Sequence, residues 1–309
     1  MANIVLGIGT SHTPQISAPW EEWPNLGKQD KPSPFIPEDL EEQLKPETHK
    51  KRWEIVQNDI KHLGDKLRST KLDAIVIFGD DQHEQFHDDN MPALAIYNGE
   101  SVPLHHNSAQ RAAPTSAFAK LRFEETKSEY PNQAGLANYL IEELTDREFE
   151  VTRCNELKAT RGIGHAFGFL YQRLYPECEV PIVSVMVNTY YPPNQPTPNR
   201  CYNLGKAVAG AIKDWEPGAR VALMASGGLS HIMMDEEVDH QTLEGLEKKD
   251  KQKLITLPRE RLVGGTSEIL NWVAVAGGCE PLDFHLLHYI PGYRSRPSTG
   301  CAMTFGYWE

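Results

Sequence analysis

Cysteine is scarce in this chain. Five occur in 309 residues (Cys154, Cys178, Cys201, Cys279 and Cys301), an odd, scattered set with no CxxC pair. This fits a reducing compartment better than a disulfide framework. Long apolar runs are also missing, so no stretch reads as a membrane span. The opening MANIVLGIGTSHTP has no basic region followed by a long apolar run, so a signal peptide is not expected and a cytoplasmic location is. Positive charge is in deficit: 31 Lys and Arg against 43 Asp and Glu give a net charge of −12. That balance argues against nucleic acid or an anionic membrane surface as the main partner. There is no internal repeat and no low-complexity linker, so residues 1–309 are expected to form a single domain. Hydrophobic residues at 39% and charged residues at 24% are ordinary for a globular protein, and the chain is long enough to bury a large core.

Several chemical signatures are absent as well. There is no GxxxxGK[ST] phosphate loop and no HExxH, and GIGTSH lacks the third glycine of a dinucleotide fingerprint. The phrase GLSH does not complete the GxSxG elbow of a serine hydrolase.

What is present is an α/β pattern. Runs rich in β-branched and apolar residues predict strands at 4–9, 73–78, 93–97, 181–187 and 220–225. Between them, Trp53, Val56, Ile60, Leu63 and Leu67 recur at three- and four-residue steps, the stripe of an amphipathic helix over 50–68. Leu136, Tyr139, Leu140 and Leu144 repeat the pattern, as do Leu204, Val208, Ala211 and Ile212. The expected fold is a central, mostly parallel or mixed sheet flanked by helices. Residues 17–48, rich in proline and charge, read as an insert acting as a lid or an oligomer contact. Residues 189–199 (TYYPPNQPTPN) read as a loop, because proline forbids regular ladders.

Three histidines follow predicted strand ends: His12 in GTSHTP, His83 in GDDQHEQF and His231 in SGGLSH. His165 stands in RGIGHAFGF, ahead of a helical stretch. Ligands of open α/β sheets bind at the carboxyl ends of strands, so these side chains can converge. One histidine near a strand end is more often a hydrogen-bonded loop residue, but repeated placement in Gly- or Ser-rich turns favours a site. Glu268 lies in GGTSEILNWVAVAGG and shares a helix face with Trp272 and Ala276. A carboxylate buried there is costly unless a metal or cation compensates; the bland alternative is a first-turn glutamate favoured by the helix dipole. Two histidines and one carboxylate suit iron(II) with open positions, and equally suit catalytic zinc.

Taken together, SHTP, the DDQHEQF turn, GGLSH and the glutamate ahead of Trp272 keep the motif order of a known family. The chain resembles the class III (LigB-type) extradiol ring-cleaving dioxygenases, the superfamily that includes the catalytic subunit of protocatechuate 4,5-dioxygenase. The GIGTSH opening and the long insert look closer to single-chain members that cleave gallate or 3-O-methylgallate. The resemblance implies Fe(II) held by His12, His83 and Glu268, His231 as catalytic acid/base, and His165 assisting the substrate. IGHAFG departs from the family's pattern in lacking an aspartate before His165. Asp80 or Asp81 would orient a ligating histidine from behind. A carboxylated or methoxylated catechol would meet basic or hydroxyl groups among Arg161, Arg294, Arg296, Ser298 and Thr299, with Tyr190 and Tyr191 walling the pocket. The implied partners are a small aromatic substrate and O2, in a homo-oligomer of two or more copies. The rival readings are cleavage of a 2-aminophenol, a zinc-dependent hydrolase on the same fold, a non-catalytic subunit, and a binding or scaffold protein with no chemistry.

Overall fold

A computed structural model describes residues 1–26, 33–104, 126–157 and 162–309. The strands are β1 (Asn3–Thr10), β2 (Ala74–Gly79), β3 (Leu94–Tyr97), β4 (Ser101–Pro103), β5 (Glu129–Pro131), β6 (Thr152–Cys154), β7 (Ile182–Val187), β8 (Arg220–Ser226), β9 (His231–Met233), β10 (Phe284–Tyr293) and β11 (Thr299–Trp308). One mixed sheet runs β10-β11-β1-β8-β2-β7-β3-β6, with β9 joined to β11, while β4 and β5 pair apart from it. The centre, β1-β8-β2-β7, is parallel. The flanks are antiparallel where β3 meets β7 and where β11 meets β1.

Every residue of β2 and β7 is buried, as expected of parallel strands covered on both faces. Successive side chains of β2 point to opposite sides. Val76 and Phe78 enter a core built with the helices Ala134–Asp146, Pro198–Asp214 and Ile269–Gly278. Ile75 and Ile77 enter a second core against Val56, Ile60, Leu63 and Leu67 of the helix Pro46–Ser69. This is the layered α/β fold that the alternating pattern predicts.

Three details differ from the sequence reading. The first long helix begins at Pro46, inside the predicted insert, and another begins at Pro198, inside the predicted loop. Both prolines sit at a helix start, where the missing N–H is no loss. The long hairpin β10–β11 was not anticipated. FHLLHYIPGY carries a proline, tolerated because β10 is an edge strand. Within the insert, residues 17–26 are held in place by hydrogen bonds. Trp53 Nε1 donates to the Ala18 carbonyl at 3.0 Å, and buried Trp23 donates to that of Gln15 at 2.9 Å. Ser33 N donates to the Pro297 carbonyl at 2.8 Å. Residues 27–32 of the insert fall outside the described residues. Among the described residues no helix is long and apolar enough to cross a membrane.

Candidate metal centre

The adjacent parallel strands β1, β8 and β2 end side by side, at Thr10, Ser226 and Gly79. Their turns carry His12, Gly227-Gly228 and Asp80 to one edge of the sheet. Glu268 arrives from the other side, where a tight turn (Gly264–Glu268) runs into the helix Ile269–Gly278. All ten residues of that helix are buried, and its apolar surface seats the carboxylate in the interior. Asn271 and Trp272 anchor it by donating to the carbonyls of Ser226 (2.9 Å) and Gly227 (2.8 Å). Gly227 has φ +145°, and a Cβ there would lie 2.7 Å from that of Glu268. Only glycine permits this approach.

Glu268 is fully buried and is the hub. Its Oε2 accepts from Gly228 N at 2.9 Å and lies 3.5 Å from His12 Nε2. Its Oε1 accepts from Tyr190 Oη at 3.1 Å and Gln82 Nε2 at 3.2 Å, and lies 3.2 Å from His231 Nε2. The tautomer of His12 follows from its neighbour. The Ser226 hydroxyl gives its one proton to the Ala166 carbonyl at 2.5 Å, so it accepts from His12 Nδ1–H at 3.0 Å. The lone pair of His12 Nε2 therefore faces a carboxylate. Two electron-rich atoms set against each other in a buried place call for a cation between them. His231 Nδ1–H donates to the Leu229 carbonyl at 2.8 Å, so its Nε2 also faces Glu268.

Asp80 is the fourth member. It is fully buried, Gln82 Nε2 donates to its Oδ2 at 3.0 Å, and Oδ1 has no hydrogen-bond partner among the described residues. Ligand atoms of His12, Asp80 and Glu268 all lie within 4.8 Å of one another. An orphaned carboxylate oxygen beside a second carboxylate and an imidazole lone pair is a donor set that fits a divalent metal.

The electrostatics agree. Burial lowers the His12 pKa, only partly offset by Glu268. Burial, with Glu268 adding, pushes Asp80 up to about 8. Burial opposes the charged form of His231, but Glu268 and Cys301 outweigh it and hold its pKa well above the usual value. Burial likewise opposes ionised Glu268, yet His231 and His12 keep its pKa well below the carboxylate range.

Of the expected site residues, the structure brings together His12, His231 and Glu268. His165 joins them edge-on to His12, with ring centroids 4.7 Å apart. His83 does not. It sits at φ +59°, its ring stacked 3.9 Å from that of Tyr191 and 5.4 Å from that of His87. Its Nε2 lies 3.1 Å from Asp88 Oδ1, a mostly exposed partner. The bend that turns Gln82 inward turns His83 away. Asp81 accepts from the backbone N–H groups of Glu84, Gln85 and Phe86 and shapes that turn.

Of the proposed substrate residues, Tyr190 touches Glu268, while Arg294, Ser298 and Thr299 are buried. Arg296 is exposed and pairs with Glu41, which places it on the surface. Arg161 lies outside the described residues.

Glu84 escaped the sequence reading. Its Oε2 lies 2.9 Å from His165 Nδ1, and its two oxygens accept from His165 N at 3.0 and 3.2 Å. Burial disfavours the charged His165, but Glu84, Asp80 and Glu268 outweigh it and lift its pKa to about 10. Because the folded pKa lies above the unfolded 6.5, this stabilisation is complete below pH 6.5 and disappears as pH rises toward 10. In metal-free protein the melting temperature is expected to fall over that window. Glu84→Gln should flatten the slope, and thermal scans at pH 6, 8 and 10 check it; an unchanged slope would rule out the pair as its source.

A cleft of about 500 Å³ opens beside His231, lined by Phe35, Ile232, Met233, Val263 and Thr266 among others. A Cβ on Gly265 would meet the His231 ring at 2.1 Å, so glycine lets this wall close on the imidazole.

Two comparisons bear on this arrangement. The family model described as the catalytic LigB subunit of aromatic ring-opening dioxygenase matches residues 34–289, a span holding Asp80, His83, His165, His231 and Glu268. A stretch of 158 residues is 30% identical to a gallate dioxygenase of Pseudomonas putida, covering 47% of this chain. The match takes in 45% of that enzyme, so the chain spans less than half of the relative's length.

Proposed function

The chain belongs to the LigB family of aromatic ring-opening dioxygenase catalytic subunits, and from that premise we propose that it is an Fe(II)-dependent extradiol dioxygenase. The observation that carries this reading is the buried Glu268 carboxylate facing the lone pair of His12, with His231 on its other oxygen. His12 and Glu268 would hold the iron. When bound, iron(II) supplies a Lewis acid that lowers the pKa of a substrate hydroxyl and offers open positions for O2.

The protein's own groups divide the remaining work. His231 stands at the cleft with Nδ1–H tied to Leu229, so its Nε2 is the atom that takes and returns a proton. Its pairing with Glu268 favours the protonated form, which suits it to deliver a proton in the later step. His165 is held cationic by Glu84 and presents a positive ring beside His12, where it would steady an anionic substrate oxygen. Tyr190 and Gln82 fix the orientation of the Glu268 carboxylate. Phe35 and Val263 give the cleft apolar walls against which an aromatic ring would lie, with residues 33–35 acting as part of the lid proposed for the insert.

A carboxylated, gallate-like catechol is the substrate class we favour. Arg294 is buried, its Nη1 donates to Gln15 Oε1 at 3.0 Å, and its Nε has no hydrogen-bond partner among the described residues. It pairs in register with Thr299, on the sheet face that carries Cys301 and, opposite Cys301, His231. The Ser298 hydroxyl nearby is also buried without a hydrogen-bond partner among the described residues. A buried guanidinium of this kind favours an anion such as a carboxylate.

Anaerobic loading with Fe(II), then O2 uptake with protocatechuate, gallate, 3-O-methylgallate, catechol and 2-aminophenol, tests the reading. Uptake with a ring-opened yellow product, or its cyclised lactone, and faster turnover of the carboxylated substrates are expected. Equal turnover of catechol and protocatechuate counts against the carboxylate contact. No uptake in protein shown to hold iron sinks the dioxygenase reading.

A further inference from the structure

We infer that Asp80, not His83, is the third protein ligand of the metal, so that one histidine and two carboxylates hold the ion; this rests on the metal-dependent reading above. The two candidates stand three residues apart in one turn, and the turn sends them in opposite directions. Asp80 follows β2 directly and points into the space between His12 and Glu268, its ligand atom within 4.8 Å of theirs. His83 is committed elsewhere, its ring packed face to face on Tyr191 at an interplanar angle of 9° and its Nε2 beside Asp88. To reach the centre it would have to leave that stack and reverse a bend already at positive φ.

The residue between them shows how the centre is built. Gln82 spends its amide N–H groups on both carboxylates, Oδ2 of Asp80 and Oε1 of Glu268. That leaves Asp80 Oδ1 without a hydrogen-bond partner among the described residues and fully enclosed. A buried carboxylate oxygen with no donor, next to a second buried carboxylate, is unfavourable until a cation fills the gap. With His12 neutral through its Ser226 contact, two carboxylates would cancel the charge of a divalent ion completely. Two oxygen donors and one nitrogen also form a harder set than two imidazoles and one carboxylate, and harder sets suit Mn(II) as well as Fe(II).

The test measures metal directly. Wild type, Asp80→Ala, Asp80→Asn, His83→Ala, His12→Ala and Glu268→Ala are loaded anaerobically with Fe(II), desalted and assayed for iron by mass spectrometry. Binding of Mn(II) is followed by electron paramagnetic resonance, and circular dichroism of the metal-free forms reports folding. The expected result is wild-type iron in His83→Ala and at least about tenfold weaker metal binding in Asp80→Ala. The near-isosteric Asp80→Asn, folded as wild type, should weaken binding as well because it loses the charge. Full metal in both folded Asp80 variants, with loss in His12→Ala and Glu268→Ala, overturns the assignment but leaves the metal enzyme standing. Loss in folded His83→Ala overturns it too. A wild type that takes up neither ion overturns the metal-dependent reading itself.

Discussion

Glu268→Ala is expected to lose its iron and all turnover with it. The carboxylate is the hub of the centre. It faces His12 on one oxygen and His231 on the other, and it gathers donors from Gly228, Gln82 and Tyr190. Its removal takes away the negative charge that draws in a cation, and metal affinity should fall by more than about tenfold. The same change leaves three donors without their acceptor. Each buried group so abandoned costs about 1–3 kcal/mol, so the alanine variant should also melt well below metal-free wild type. Glu268→Gln separates the two effects. The amide keeps an acceptor oxygen for one side of the network but carries no charge, so it should recover part of the stability and little of the iron. Iron content and calorimetry on the three proteins decide the matter; a fully metallated Glu268→Ala would mean that another carboxylate holds the ion.

How far the sequence foretold this centre depends on the kind of turn involved. His12 and His231 follow parallel strands through short Gly- and Ser-rich turns, and neighbouring parallel strands end together. Strand periodicity and the carboxyl-edge rule were enough to draw them to one place. Glu268 could be read because a carboxylate among apolar helix residues has few tolerable surroundings. The turn after β2 was different. In GDDQHEQF six of eight residues are polar or charged, and no period says which of them face inward. The backbone decides it: a positive φ at His83 and the Asp81 carboxylate capping three N–H groups fold the turn so that Asp80 and Gln82 face the centre. The role of Glu84 was hidden for another reason, since its partner His165 lies 81 positions away and no local pattern connects them. Strands β10 and β11 escaped notice because histidine, proline and glycine interrupt the apolar run of β10, which its edge position tolerates, and glycine and threonine interrupt that of β11.

His231→Ala separates proton transfer from metal binding. The ring could be taken for a ligand, because its Nε2 lies 3.2 Å from Glu268 Oε1. Two features argue otherwise. It is not part of the compact donor cluster of His12, Asp80 and Glu268. It also lines the open cleft, with Ile232 and Met233 beyond it, where a substrate would arrive. A group at that boundary can exchange protons with a substrate held at the metal, whereas a ligand belongs behind it. The variant is therefore expected to keep its iron and still bind substrate without O2. Its kcat should fall by about 10²–10⁴, the usual worth of a positioned acid or base, with KM changed far less. Small imidazole added to the cavity should restore part of the rate, and more of it near neutral pH than in acid or strong base, since both protonation states are used. Normal turnover would remove His231 from the chemistry. Loss of iron from the folded variant would make it a ligand, and the proton carrier would then have to be sought in His165, whose pairing with Glu84 holds it charged and poorly suited to give its proton up.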